Sequence, residues 1–137
     1  VTADHDHVIT FSGHCGRGTP VTGLCMGISS GQVEHDGKPE LAGDGKPYTV
    51  VNYLNGPGSI LTEQEDGSFS GLRPDLTQEE AQDPDFLQQA LIPMGAESHS
   101  GVDVALWATG PWAHLFGGTM DQEMIFHVMH HAMFGAD

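Results

Sequence analysis

Between Gly13 and about Gly95, glycine or proline interrupts the chain every few residues, as in Gly13-His14-Cys15-Gly16-Arg17-Gly18-Thr19-Pro20 and Leu54-Asn55-Gly56-Pro57-Gly58. A helix or a long strand is costly to continue through such residues, because glycine loses the most backbone freedom and proline removes a donor. The stretch 14–95 is therefore expected to be an elaborated insertion of short elements rather than a regular sheet. Its clearest strand candidate is Tyr48-Thr49-Val50-Val51-Asn52-Tyr53-Leu54, rich in β-branched and aromatic side chains. Two short helices are expected after it. One starts at Thr77, with Glu80 three residues on as a capping box. The other starts at Asp83-Pro84, with proline at the first helical position, and runs through Phe86-Leu87-Gln88-Gln89-Ala90.

The flanks, 1–13 and 96–137, are denser. Val8, Ile9 and Phe11, interleaved with Thr10 and Ser12, predict the end of a buried strand closed by Gly13. Val102-Asp103-Val104-Ala105-Leu106-Trp107 alternates as a strand ended by Thr109-Gly110-Pro111. A helix is predicted from Thr119, with Gln122 in the capping-box position and Gly135 as its stop. Met120, Met124, Ile125, Val128, Met129, Ala132 and Met133 share one face at helical spacing, and that stripe reads as core.

Charge excludes some partners. Nineteen Asp and Glu stand against four Lys and Arg, a formal net charge of -15. Nucleic acid needs basic side chains to neutralise its phosphates, and an anionic membrane surface is excluded on the same ground. No apolar run approaches the roughly 20 residues of a spanning helix. With 137 residues and 38% hydrophobics the chain is expected to form one domain with a core. The acidic surface fits either a salt-adapted, halophilic protein or an ordinary acidic secreted or periplasmic one. The opening Val1-Thr2-Ala3-Asp4-His5 lacks Met, a basic stretch and a cleavage site, so it reads as the interior of a longer chain. Cys15 and Cys25 are either two buried thiols or, in an oxidising compartment, a short disulfide loop.

Nine histidines supply most of the chemistry. Asp4-His5-Asp6-His7 offers four metal donors on one short stretch, and zinc sites draw three or four such donors from separate elements. Glu97-Ser98-His99-Ser100-Gly101 precedes a predicted strand, where loops build sites. Neither Ser98 nor Ser100 sits on a nucleophile elbow. His127, His130 and His131 lie on the last helix, where His127 and His131, one turn apart, could share a metal; without the Glu of an HExxH zincin they read as packing residues or as supports of a ligand. His114 is a weaker candidate still. Gly13, Gly16 and Gly18 are not followed by a helix pattern, so they form no phosphate loop.

Taken in order, several segments resemble the C-terminal part of the alkaline phosphatases. They are Thr2-Ala3-Asp4-His5-Asp6-His7-Val8-Ile9-Thr10-Phe11, Arg17-Gly18, Gly23-Leu24, Tyr53-Leu54-Asn55-Gly56-Pro57-Gly58, Glu97-Ser98-His99-Ser100-Gly101-Val102-Asp103-Val104, Gly110-Pro111-Trp112-Ala113-His114-Leu115-Phe116 and His127-Val128-Met129. The resemblance implies an α/β fold, the C-terminal part of a three-layer α/β sandwich, with 1–13 and 96–137 in the catalytic core. The stretch 14–95 would be the crown-like insertion near a homodimer interface. It implies hydrolysis of phosphate monoesters through a phosphoserine, with two zinc ions and one magnesium per site.

By motif match, Asp4 and His5 would ligate the zinc beside the serine, His99 would ligate the other, and His7 would orient a carboxylate ligand of the second zinc. The nucleophilic serine, the phosphate-binding arginine, the magnesium carboxylates and the remaining partners of His99 have no counterpart in these residues. The resemblance puts them upstream of Val1, so the chain is expected to be a fragment, inactive alone, of a periplasmic or extracellular enzyme. The alternative is a non-catalytic fragment whose surface Asp and His bind divalent ions.

Overall fold

The structure is a computed structural model that describes residues 1–135; the last two residues of the predicted segment 96–137 lie outside the described residues. It comprises two units, one of Val1–Asp6 with the segment from Gly101 on, the other of His7–Ser100. Its strands are β1 (Asp6–His7), β2 (Ile9–Phe11), β3 (Met26–Ile28), β4 (His35–Pro39), β5 (Val51–Gly56), β6 (Thr62–Glu63), β7 (Phe69–Ser70), β8 (Ala90–Pro93) and β9 (His99–Ser100). The helices are α1 (Gln78–Ala81) and α2 (Glu123–Phe134), with a 3₁₀ turn at Ala113–Leu115. Short strands of mixed direction with few helices are consistent with an α/β class.

In the unit His7–Ser100, β5 is central. It pairs antiparallel with β2, Thr10 opposite Asn52, and parallel with β8, Asn55 opposite Ile92. The strand expected over 48–54 starts later, at Val51. Upstream of it the backbone pairs elsewhere: Cys25 N–H donates to Tyr48 O at 2.9 Å, and Val50 N–H to Gly23 O at 2.9 Å. That pairing leaves Thr49 fully buried beside Leu24. The strand expected around Ile9 forms, but it is not buried. As the edge of a three-stranded sheet it has a partner on one side, and Phe11 is 65% exposed.

The capping box at Thr77 is made in full: Thr77 Oγ1 accepts from Glu80 N–H, and Glu80 Oε2 accepts from Thr77 N–H. The helix it starts is a single turn, fixed in place when Gln78 Oε1 accepts from Leu24 N–H at 2.9 Å. Ala81 thereby joins Leu24 and Met26 in the core, with Leu76 packed against them. Cys25 is fully buried beside this cluster and is disulfide-bonded to Cys15, Cα–Cα 5.1 Å.

The helix expected from Asp83-Pro84 does not form. Asp83 Oδ1 accepts from Asp85 N–H at 2.8 Å and Asp83 O from Phe86 N–H at 3.0 Å, which closes one turn. An Asp side chain offers the backbone this local alternative to a helix. Gln89 O then accepts from Tyr53 N–H at 2.8 Å, and the chain continues into β8. Gly58 permits the close approach there. A Cβ on it would stand 2.0 Å from the carbonyl oxygen of Gln88.

In the other unit, the segment 102–107 is not a strand. It bonds the start of the chain: Trp107 N–H donates to Val1 O at 2.9 Å, Val1 N to Trp107 O at 2.6 Å and Thr2 Oγ1 to Ala105 O at 3.1 Å. With one short partner no ladder develops, and Val102 and Trp107 are exposed. Helix α2 starts four residues later than Thr119. Gln122 caps it without a side-chain bond to the helix, because its amide is turned to Asp4 O at 3.2 Å. Gly135, at φ 77°, stops it as expected, its N–H bonded to His131 O. The methionine stripe is not core among the described residues. Only Val128 is buried, while Met124, Met129 and Met133 are exposed.

Candidate metal centre

Asp4 and His5 precede β1 and form one pair of donors. His5 Nε2 lies 3.4 Å from Asp4 Oδ2, with the His5 side chain 29% exposed and that of Asp4 82%. The His5 main chain is held as well, since His5 N–H donates to Asp4 Oδ1 at 3.1 Å. His5 Nδ1 lies 3.2 Å from Asp6 O. A carbonyl oxygen only accepts, so this contact suits a proton on Nδ1, the tautomer in which Nε2 carries the lone pair a metal would take.

The separation tests the fit. Two ligands at about 2.0–2.1 Å from a tetrahedral zinc stand roughly 3.3 Å apart. The 3.4 Å between Asp4 Oδ2 and His5 Nε2 is that span. Donor type and spacing fit zinc. The number of donors does not close a site by itself, and among the described residues no group of three His, Cys, Asp or Glu converges to hold a metal.

His7 and His99 belong to the other unit. Pairing of β1 with β9 brings their rings to 5.8 Å, edge to face. His7 Nδ1 lies 3.4 Å from Glu97 Oε1, an ion pair when the imidazole is protonated. Glu97 also walls a cleft of about 190 Å³ formed by Gly56–Gly58 and Phe86–Gln88. Sequence reasoning placed Glu97 in the motif around His99 without a role. Its contact with His7 is the addition made by the fold.

Asn55, near the end of β5, lies in a segment that resembles the family but carries no role readable from sequence. It is 7% exposed, and both ends of its amide are engaged by Ser98. Ser98 is thereby committed to Asn55, which agrees with its lack of a nucleophile elbow.

The last helix carries its histidines as ring partners. His131 packs edge-to-face on Trp112 at 4.4 Å, and His130 lies against Phe126 and Phe134. His127 meets Phe126, and His114 meets Trp112. Of the basic side chains, Arg73 is occupied structurally. Its Nε donates to Asp44 Oδ2 at 2.9 Å and its Nη1 to Pro47 O at 2.9 Å. Lys46 Nζ bonds Arg73 O.

The model of the alkaline phosphatase family matches residues 1–134. Alkaline phosphatase from Gadus morhua is 38% identical over 132 residues, covering 96% of this chain and 24% of that protein. The tissue-nonspecific alkaline phosphatase isozymes of Rattus norvegicus and Gallus gallus are each 36% identical, covering 96% of this chain and 22% of theirs. The chain belongs to the alkaline phosphatase family. It spans about a quarter of the length of the curated relatives it matches. Among the described residues no helix is long and apolar enough to cross a membrane.

Proposed function

We propose that the chain is the C-terminal portion of an enzyme that hydrolyses phosphate monoesters through a phosphoserine, at a site of two zinc ions and one magnesium ion. The observation that carries this reading is the Asp4–His5 pair, whose 3.4 Å span suits one zinc, in a family member. Asp4 and His5 hold the zinc beside the serine. His99 holds the other, and His7 orients a carboxylate ligand of that second zinc. When bound, the two ions stabilise the attacking and departing oxygens of an in-line displacement. The serine, the phosphate-binding arginine, the magnesium carboxylates and the remaining zinc ligands come from an upstream portion.

In this reading 1–13 and 96–137 belong to a three-layer α/β sandwich and 14–95 to a crown-like insertion near the interface of a homodimer. The enzyme is periplasmic or extracellular, which agrees with the Cys15–Cys25 disulfide. Its acidic surface suits salt.

Intact mass, zinc content and p-nitrophenyl phosphate turnover of the purified protein test the reading together. A heavier species or a co-purifying upstream fragment, with about two zincs per site and turnover, is expected. A complete protein that binds divalent ions without turnover would instead make this a non-catalytic metal-binding segment.

A further inference from the structure

The segment that carries Glu97 and His99 pairs with β1 through β9 and is also held by a buried amide. Asn55 Oδ1 accepts from Ser98 N–H at 2.8 Å, and Asn55 Nδ2 donates to Ser98 Oγ at 2.9 Å. The backbone N–H can only donate, so the orientation of the amide is fixed: oxygen to the main chain, nitrogen to the hydroxyl. Asn55 sits near the end of the central strand β5, anchored by the parallel register to Ile92, and is 7% exposed. The next residue, Gly56, has φ 147°, and the position of its missing Cβ lies 3.7 Å from Glu97 Cβ and 3.8 Å from Glu97 N. Beside the β1–β9 pairing, the segment is therefore seated on the end of β5 by a two-point bond at Ser98 and by packing at Glu97. Its two neighbours of Ser98 both reach His7, Glu97 through its carboxylate and His99 through its ring.

We propose that Asn55 is a positioning residue for His99. It sets the direction from which His99 approaches zinc without touching the metal, and the inference rests on the phosphatase reading of His99. A side-chain amide bonded at both ends restrains translation and rotation of the Ser98 peptide together. One hydrogen bond would leave rotation free. The supports behind metal ligands commonly change metal affinity by about 10–100-fold when removed.

The test is made on the complete protein, with zinc affinity measured by equilibrium dialysis and thermal stability measured on the zinc-free form. Asn55→Ala is expected to weaken zinc binding by about 10–100-fold, with turnover recovered at excess zinc. Ser98→Ala keeps the main-chain bond and is expected to weaken it several-fold less. Zinc affinity within about twofold of the parent in Asn55→Ala, or a loss of apo stability with affinity unchanged, would reduce the clamp to a structural part and overturn the proposal. If Asn55→Ala does not fold, Ser98→Ala decides: weakened zinc supports the clamp and unchanged zinc overturns it. His99→Ala separates the two readings. Full zinc retention there overturns the ligand assignment and the clamp's target with it, whereas zinc lost in His99→Ala but kept in Asn55→Ala overturns the clamp alone.

Discussion

The side-chain amide of Gln122 donates to the main-chain oxygen of Asp4 at 3.2 Å, so the residue that begins α2 steadies the residue carrying the first candidate ligand. Gln122 gives its own helix no side-chain cap. Gln122→Ala should accordingly leave helix content unchanged and cost no more than about 1 kcal/mol of stability. In the complete protein it should weaken zinc by less than about tenfold. Circular dichroism, thermal melts and zinc dialysis read these effects, and a melted helix would contradict the assignment of that amide to Asp4.

Ligand loss should be harsher. In the complete protein His99→Ala or Asp4→Ala is expected to lower zinc content and reduce turnover by more than about 100-fold, since direct ligands exceed the effect of their supports. Either variant with parental zinc and full activity would refute the assignment. His131→Ala, which removes only an edge contact on Trp112, should matter far less.

Gly58 has a backbone oxygen where a side chain would start, 2.0 Å from its Cβ position. Backbone cannot yield as a side-chain tip can, so Gly58→Ala should destabilise by about 1–3 kcal/mol or more. A denaturant midpoint equal to the parent's would show that β8 and the loop before it can shift freely.

Asp44 titrates below the ordinary aspartate range because the Arg73 guanidinium bonds its carboxylate, aided by the Lys46 N–H. A depressed carboxylate stabilises the fold above its unfolded value of about 3.9, and that contribution is lost as pH falls through the folded value. Asp44→Asn should therefore lower stability at neutral pH and converge with the parent in acid. Parallel pH–stability curves would rule out the pair as a contributor.

Reduction of Cys15–Cys25, ten residues apart, opens a short loop. Chain-entropy arguments put the loss at about 2–3 kcal/mol. A melting temperature insensitive to reductant would show that burial around Cys25 holds the segment without the crosslink.

What could be read from the sequence was local chemistry. The Thr77–Glu80 box and the stop at Gly135 need only nearby residues, and both appear in the structure. Asp83-Pro84 suits a helix start and an Asp-closed turn equally, and the choice was made by Tyr53 N–H, thirty residues upstream by number. The face of Met124, Met129 and Met133 has helical spacing, but periodicity marks an apolar side without saying what lies against it. Among the candidate ligands, donor types were legible from Asp4, His5 and His99. The Nδ1 contact of His5 and the engagement of Asn55 by Ser98 depend on backbone carbonyls and amides, which every residue carries and no motif distinguishes.

The sheet that seats Asn55 joins three stretches of chain remote from one another, with Thr10 opposite Asn52 and Tyr53 opposite Ala90. Each pairing closes a long loop before any contact rewards it, whereas the single turn at Thr77 and the hairpin of β6 with β7 form from neighbours. The local elements are therefore expected to form before the sheet. The sheet that carries Asn55 is expected to assemble after them, so the affinity for zinc should mature with the tertiary structure rather than with the first helices and hairpins.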